Sequence, residues 1–219
     1  MDHRFQIDLR GLIDLLSNHL YSREDVFVRE LLQNAVDART ALRHLDGTDV
    51  PGTVRFDVRE PGTLVVQDDG VGLTEEEIHR FLATIGQSSK RLAEGTARAD
   101  FLGQFGIGLL ACFVVSDAIE VRRRWACTGD APTLRWCGRD DGTYELLVDS
   151  QRPLEAPGTE VTLKAKPSRR EAFGPGAVRA AILRYGRFLP HRIELVGTGR
   201  TERLDTTPPW RRELFDRAA

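Results

Sequence analysis

The segment FVRELLQNAVDA, residues 27–38, narrows most what this chain can fold into. Its apolar residues Phe27, Val28, Leu31, Leu32, Ala35, Val36 and Ala38 cover most of a helix's circumference, and a helix of that kind must be buried against other layers. Glu30, Asn34 and Asp37 stand at i, i+4 and i+7, which places all three polar groups on one stripe. Buried polar groups need partners. Either solvent reaches the stripe, as on an ordinary amphipathic helix, or it lines a ligand cavity.

The neighbouring sequence sets this helix in an α+β chain. Leu9, Leu12, Ile13, Leu15, Leu16 and Leu20 predict a first helix over Leu9–Leu20, and Ser22, with Asp25 three residues on, reads as the cap of a long second helix over Arg23–Leu45 that Gly47 ends. Thr53–Arg59 and Thr63–Gln67 flank Glu60-Pro61-Gly62, which reads as a hairpin. Glu75–Leu82 is helical in pattern, Ile85–Leu102 is a polar stretch suited to a lid, and Phe105–Val115 is densely apolar. Strands are expected at Ala118–Arg124, Thr133–Cys137, Tyr144–Val148, Glu160–Lys164 and Arg192–Val196, with a helix at Gly176–Phe188. Helices followed by hairpin-linked strands imply a two-layer sandwich: a mostly antiparallel mixed sheet covered on one face by helices. Residues 1–219 read as one domain, with Thr206–Ala219, which carries Pro208-Pro209, as a linker towards further domains.

Composition excludes several classes. With 41% apolar and 29% charged residues the chain is a folding one, and 31 basic against 33 acidic residues leave a formal charge of −2. That balance lacks the basic field of a nucleic-acid binder. Cys112, Cys127 and Cys137 have no paired spacing for a disulfide framework or a cysteine zinc site, which fits a reducing compartment. No apolar run reaches the roughly 18 residues of a membrane span, and the charged residues after Met1 do not form a signal peptide, so the expected location is cytosolic. Arginine outnumbers lysine 28 to 3, a bias that suggests a GC-rich bacterial genome.

Three further motifs follow the helix. In QDDGVGLT, Asp68 ends a strand and could recognise an amino group, while Gly70 and Gly72 allow close backbone approach to a ligand. GQFGIG, with Gly103, Gly106 and Gly108, precedes a helix-like run, where free N–H groups and the helix dipole favour a phosphate. Its spacing is neither that of a P-loop nor that of the dinucleotide fingerprint. PGTEVTL puts Thr159 at the mouth of a strand, where its hydroxyl supports a ligand contact or simply satisfies the turn. Each signal is weak alone; their order is informative.

In that order, and above all in YSREDVFVRELLQNAVDA, TIGQSSK and GQFGIGLLACFVVSD, the sequence resembles the nucleotide-binding domain of the Hsp90 chaperones, a branch of the ATPase superfamily shared with gyrase, histidine kinases and MutL. The resemblance covers most of the chain. It implies the Bergerat-type ATP-binding fold, ATP or ADP with Mg²⁺ as ligands, and slow ATP hydrolysis. Glu30 would be the general base, Arg29 the residue that restrains it, and Asn34 the Mg²⁺ ligand. A carboxylate can take a proton from water, and an amide oxygen can ligate a hard cation without cancelling its charge. Asp68 would accept the adenine amino group, with Gly72, Leu73 and Thr159 completing the base contacts and Asp37 near the nucleotide. Backbone amides at Gly103, Gln104, Phe105, Gly106, Ile107 and Gly108 would cradle the phosphates.

The likeness further implies a lid over about residues 73–108, a first strand at Phe5–Asp8 exchanged between protomers, a homodimeric full-length protein, and client proteins as partners. The phosphate-contacting arginine of a later domain would lie outside this chain, so isolated turnover would be slow. The sequence departs from the family at Phe81, Gln87 and Leu109, which bears on sugar contacts and inhibitor fit. Two other functions share parts of the pattern: a DNA-maintenance ATPase of the gyrase or MutL kind, which should add basic surface, and a histidine-kinase-like module, which needs no water-activating acid.

Overall fold

The computed structural model describes Gly11, Ile13 and residues 23–47, 50–79, 108–127 and 129–208. Gly11 and Ile13 are helical, in keeping with the first expected helix; the rest of that helix, Ser22, Phe5–Asp8 and the polar stretch at 85–102 lie outside the described residues. Helix α1 runs Val26–Asp46 and buries Val26, Phe27, Val28, Leu31, Leu32, Ala35, Ala38 and Ala41. It therefore starts three residues later than expected. Asp25 occupies the cap position but makes no side-chain cap bond, because its carboxylate is taken by Arg23 at 3.0–3.1 Å and by the Tyr185 hydroxyl at 2.9 Å. At the other end Gly47 donates its N–H to the Arg43 carbonyl, as expected of the stop.

Strands β1 (Thr53–Asp57) and β2 (Thr63–Asp68) form the expected antiparallel hairpin. A single turn, α2 (Glu75–Glu77), follows, closed by a capping box in which the Thr74 hydroxyl accepts from the Glu77 N–H and the Glu77 carboxylate accepts from the Thr74 N–H. After α3 (Leu110–Phe113) come β3 (Ser116–Arg124), β4 (Leu134–Arg139), β5 (Tyr144–Val148) and β6 (Gly158–Ala165). A 3-10 helix at Pro167–Phe173 leads into α4 (Pro175–Tyr185), and β7 (Arg192–Gly197) and β8 (Arg200–Arg203) complete the sheet. The 3-10 helix and β8 were not expected, and α4 is shifted to Pro175–Tyr185 from the expected Gly176–Phe188. Thr206, where the linker is expected to begin, donates its N–H to the Arg187 carbonyl, and residues 209–219 of that stretch lie outside the described residues.

The eight strands form one sheet in the order β5-β4-β3-β6-β2-β1-β7-β8. All neighbours are antiparallel except β1 with β7, where Val54 and Phe56 lie beside Ile193 and Leu195. The register puts Val66, Val161, Val121 and Trp136 in one row on the helix-facing side. Helix α1 packs against this face and against α4 and touches α3. Phe27, Leu32, Phe56, Leu64, Ile119, Leu163, Ile182 and Ile193 are fully buried there, each contributing about 1.5–3 kcal/mol. On the opposite face the next row holds Gln67, Glu160, Arg122 and Arg135. Arg122 and Glu160 form a buried ion pair, and the Arg122 guanidinium also donates to the Arg152 carbonyl at 2.9 Å.

Candidate functional site

Asp68 is the last residue of β2, and by alternation with Leu64 and Val66 it lies on the helix-facing side. It stands opposite Thr159 on β6, which in turn stands opposite Arg123 on β3. The Gly70 N–H donates to Asp68 Oδ1 at 2.9 Å, and hydrogen bonds from Thr159 also favour the ionised form. Desolvation outweighs them. Some residue surface stays open, yet so many protein atoms surround the carboxyl that burial, helped by the neighbouring charge of Asp69, pushes its pKa up to about 7.

The glycines at this end serve the packing of the chain on itself. A Cβ on Gly72, at φ 67°, would lie 2.3 Å from the Arg124 carbonyl oxygen, and one on Gly158, at φ 140°, would lie 2.1 Å from the carbonyl oxygen of Asp68. A Cβ on Gly70 would sit 2.5 Å from that of Ala38, and the Val71 N–H donates to the Ala38 carbonyl at 3.1 Å. Helix α1 thus clamps the turn that carries Asp68. Leu73, next along, is partly buried against the core.

The other end of the site lies earlier on α1. Glu30, Asn34 and Asp37 are all half-buried, whereas their chain neighbours Arg29 and Gln33 are exposed, so the polar stripe exists as expected. Glu30 Oε1 accepts from Arg29 Nε at 2.9 Å and from Nη2 at 2.6 Å. The arginine side chain is 51% exposed and that of the glutamate 19%, and an ion pair of such exposure is worth only about 0.2–1 kcal/mol. Little energy is needed to release the acid. Asp37 Oδ1 accepts from Gln33 Nε2 at 2.7 Å. Behind Glu30, Cys112 is fully buried, and desolvation followed by the Glu30 charge keeps its thiol protonated.

Glu30 and Ala38 are eight residues apart, about 12 Å along the helix, so α1 links an acid at one end to the Asp68 turn at the other. The structure brings Asp68, Thr159 and Gly72 together, and Glu30 with Arg29 and Gly108, which adjoins the Glu30 carboxylate. Gly103, Gln104, Phe105, Gly106 and Ile107, together with Phe81 and Gln87, lie outside the described residues. Gly158 and Arg123 were not singled out in the sequence. Arg123 is 3% exposed, and desolvation lowers its pKa to about 10 although Glu77 and Glu75 oppose the shift. Among the described residues no group of three or more His, Cys, Asp and Glu side chains could hold a metal ion. A cation held mainly by phosphates and water needs only one or two protein oxygens, which the amide of Asn34 could provide. A separate cavity of about 380 Å³ lies between residues 130–133 and 148–154, lined by Thr133, Val148, Asp149 and Pro153 among others, and includes none of the candidate residues.

Comparisons with known proteins point to one family. The family described as histidine kinase-, DNA gyrase B-, and HSP90-like ATPase matches residues 21–133. Heat shock protein 75 kDa, mitochondrial, of Rattus norvegicus is 32% identical over 209 residues, covering 89% of this chain and 29% of the relative. Chaperone protein HtpG of Mycolicibacterium gilvum is 35% identical over 185 residues, 76% of this chain and 28% of that protein. The HtpG of Myxococcus xanthus is 31% identical over 227 residues, 94% of this chain and 34% of that protein. The chain therefore spans about a third of the length of these relatives. Neither the DNA-maintenance nor the histidine-kinase alternative is favoured by these likenesses. No helix among the described residues is long and apolar enough to cross a membrane.

Proposed function

Because this chain belongs to the histidine kinase-, DNA gyrase B- and HSP90-like ATPase family, on its Hsp90 branch, we propose that it is the ATP-hydrolysing module of a chaperone, using the site built along α1. The observation that carries this reading is the Asp68–Thr159 pair, a buried acceptor at the closed end of a polar stripe. Asp68 accepts the adenine amino group, while Thr159, Gly72 and Leu73 complete the base contacts, partly through water. Asp37 lies near the nucleotide. Asn34 holds Mg²⁺, which neutralises phosphate charge when bound. Backbone amides from Gly103 to Gly108 cradle the phosphates. Glu30, once free of Arg29, orients and deprotonates the attacking water.

In this proposal residues 1–219 form one nucleotide-binding domain with a lid at about 73–108. The full-length protein is a cytoplasmic, stress-related homodimer whose further domains and client proteins complete the cycle. Calorimetry with ADP and Mg²⁺, paired with phosphate release from ATP, tests it. One nucleotide per chain and slow phosphate release are expected. Absence of nucleotide binding, or label from ATP appearing on the protein in place of free phosphate, would overturn the reading.

A further inference from the structure

Gly108 is the last glycine of GQFGIG, and what it faces is the carboxylate two helices away in the sequence order. A Cβ built on it would lie 2.6 Å from Glu30 Oε2, 3.6 Å from Glu30 Cδ and 3.7 Å from Glu30 Cβ, so its three nearest obstacles are one side chain. Its φ lies outside the left-handed region, so a larger residue meets no backbone penalty there. The only other role visible is ordinary: its carbonyl accepts from the Ala111 N–H at 3.1 Å as α3 begins, a bond any residue can make.

We infer that Gly108 is a positioning residue for Glu30: the missing side chain is the seat that lets the carboxylate rest between residue 108 and Arg29. Glu30 is held from both sides, Oε1 by the Arg29 guanidinium at 2.6–2.9 Å and Oε2 by the space over Gly108. Among the described residues, the atoms nearest a methyl group at residue 108 are all on the Glu30 side chain, so that flexible side chain moves and the backbone need not. The orientation in which Glu30 bonds Arg29 is thereby tied to the chain that carries the glycine loop. The inference rests on Glu30 being the general base, and it assigns Gly108 to control of that base in addition to any contact with phosphate.

The test is Gly108→Ala in the full chain, alone and with Arg29→Ala. In a crystal structure of Gly108→Ala without nucleotide, Glu30 should have left Arg29, with no guanidinium–carboxylate contact under 4 Å. A structure in which the pair persists overturns the inference. This readout needs no ATP, so it stands even if the chain fails to bind nucleotide, a failure that would count against the proposed function instead. With ATP, both single variants should raise turnover severalfold, and the double variant should exceed neither. Multiplied effects in the double variant would overturn it. Melting curves matching the unmodified chain would show that the fold is intact, and Gly108→Ser should repeat the displacement of Glu30.

Discussion

The two carboxylates of the site are built in opposite ways. Asp68 closes a strand, is flanked by Thr159 across the sheet, receives the Gly70 N–H and sits where burial is the largest influence on its charge. Glu30 projects from a helix, keeps 19% of its side-chain surface and is held by one exposed arginine. The first acid is fixed by backbone geometry and can be moved only by deforming the turn clamped under Ala38. The second needs only a side-chain rotation. A fixed acceptor suits recognition of a ligand that must dock the same way each time, and a releasable one suits chemistry that should wait for that docking.

The sharpest way to break the comparison is to remove each acid in turn. Glu30→Ala should lower ATP turnover by about 10²–10⁴-fold, the range a positioned general base contributes, while ADP affinity measured by calorimetry stays within threefold. Asp68→Asn should do the reverse. Loss of a hydrogen bond to a charged, buried acceptor costs about 1.5–3 kcal/mol, so affinity falls roughly 10- to 150-fold, and turnover at saturating ATP is retained. If both substitutions weakened binding equally, the division into a fixed and a movable acid would fail.

Much of this contrast was legible in the sequence, for reasons that differ by residue. The stripe of Glu30, Asn34 and Asp37 follows from helical spacing, and the structure keeps it half-buried beside the exposed Arg29 and Gln33. The hairpin around Glu60-Pro61-Gly62 follows from turn chemistry. By contrast, Asp68 meets Thr159 across a long separation in the chain, and only the β2–β6 register decides that they are neighbours. Gly108 against Glu30 is equally invisible, because a glycine in a loop motif gives no sign of which side chain fills its space. Helix α1 starts at Val26 where the capping pattern predicts Arg23: the Asp25 carboxylate is taken by its near neighbour Arg23 and, from across the fold, by Tyr185 of α4, a contact outside the reach of a local capping rule. β8 escaped notice because Arg200-Thr201-Glu202-Arg203 has no apolar alternation; it is an edge strand held by pairing with β7.

The smallest expected effect is also the one that probes the fixed acid without disturbing the movable one. Asp68 keeps its proton in the folded chain up to about pH 7, but only to its ordinary 3.8 when unfolded. Between those values the folded state carries more protons. Its stability is therefore greatest at the acid end of the window and declines as pH rises through 7, with a slope of at most about 1.4 kcal/mol per pH unit from this group. Denaturant unfolding at pH 5 and pH 7 should show that component of the slope, and Asp68→Asn should remove it. An adenine amino group donating to the ionised carboxylate favours loss of the same proton, so ADP binding near pH 7 should release a fraction of a proton. The observed binding enthalpy should then vary with the ionisation enthalpy of the buffer, and ADP affinity should rise with pH up to about 7. Glu30→Ala should leave this proton release as it is. If instead the release vanished in Glu30→Ala and persisted in Asp68→Asn, the movable acid would be the one coupled to the base of the nucleotide, and the two ends of α1 would have to be exchanged.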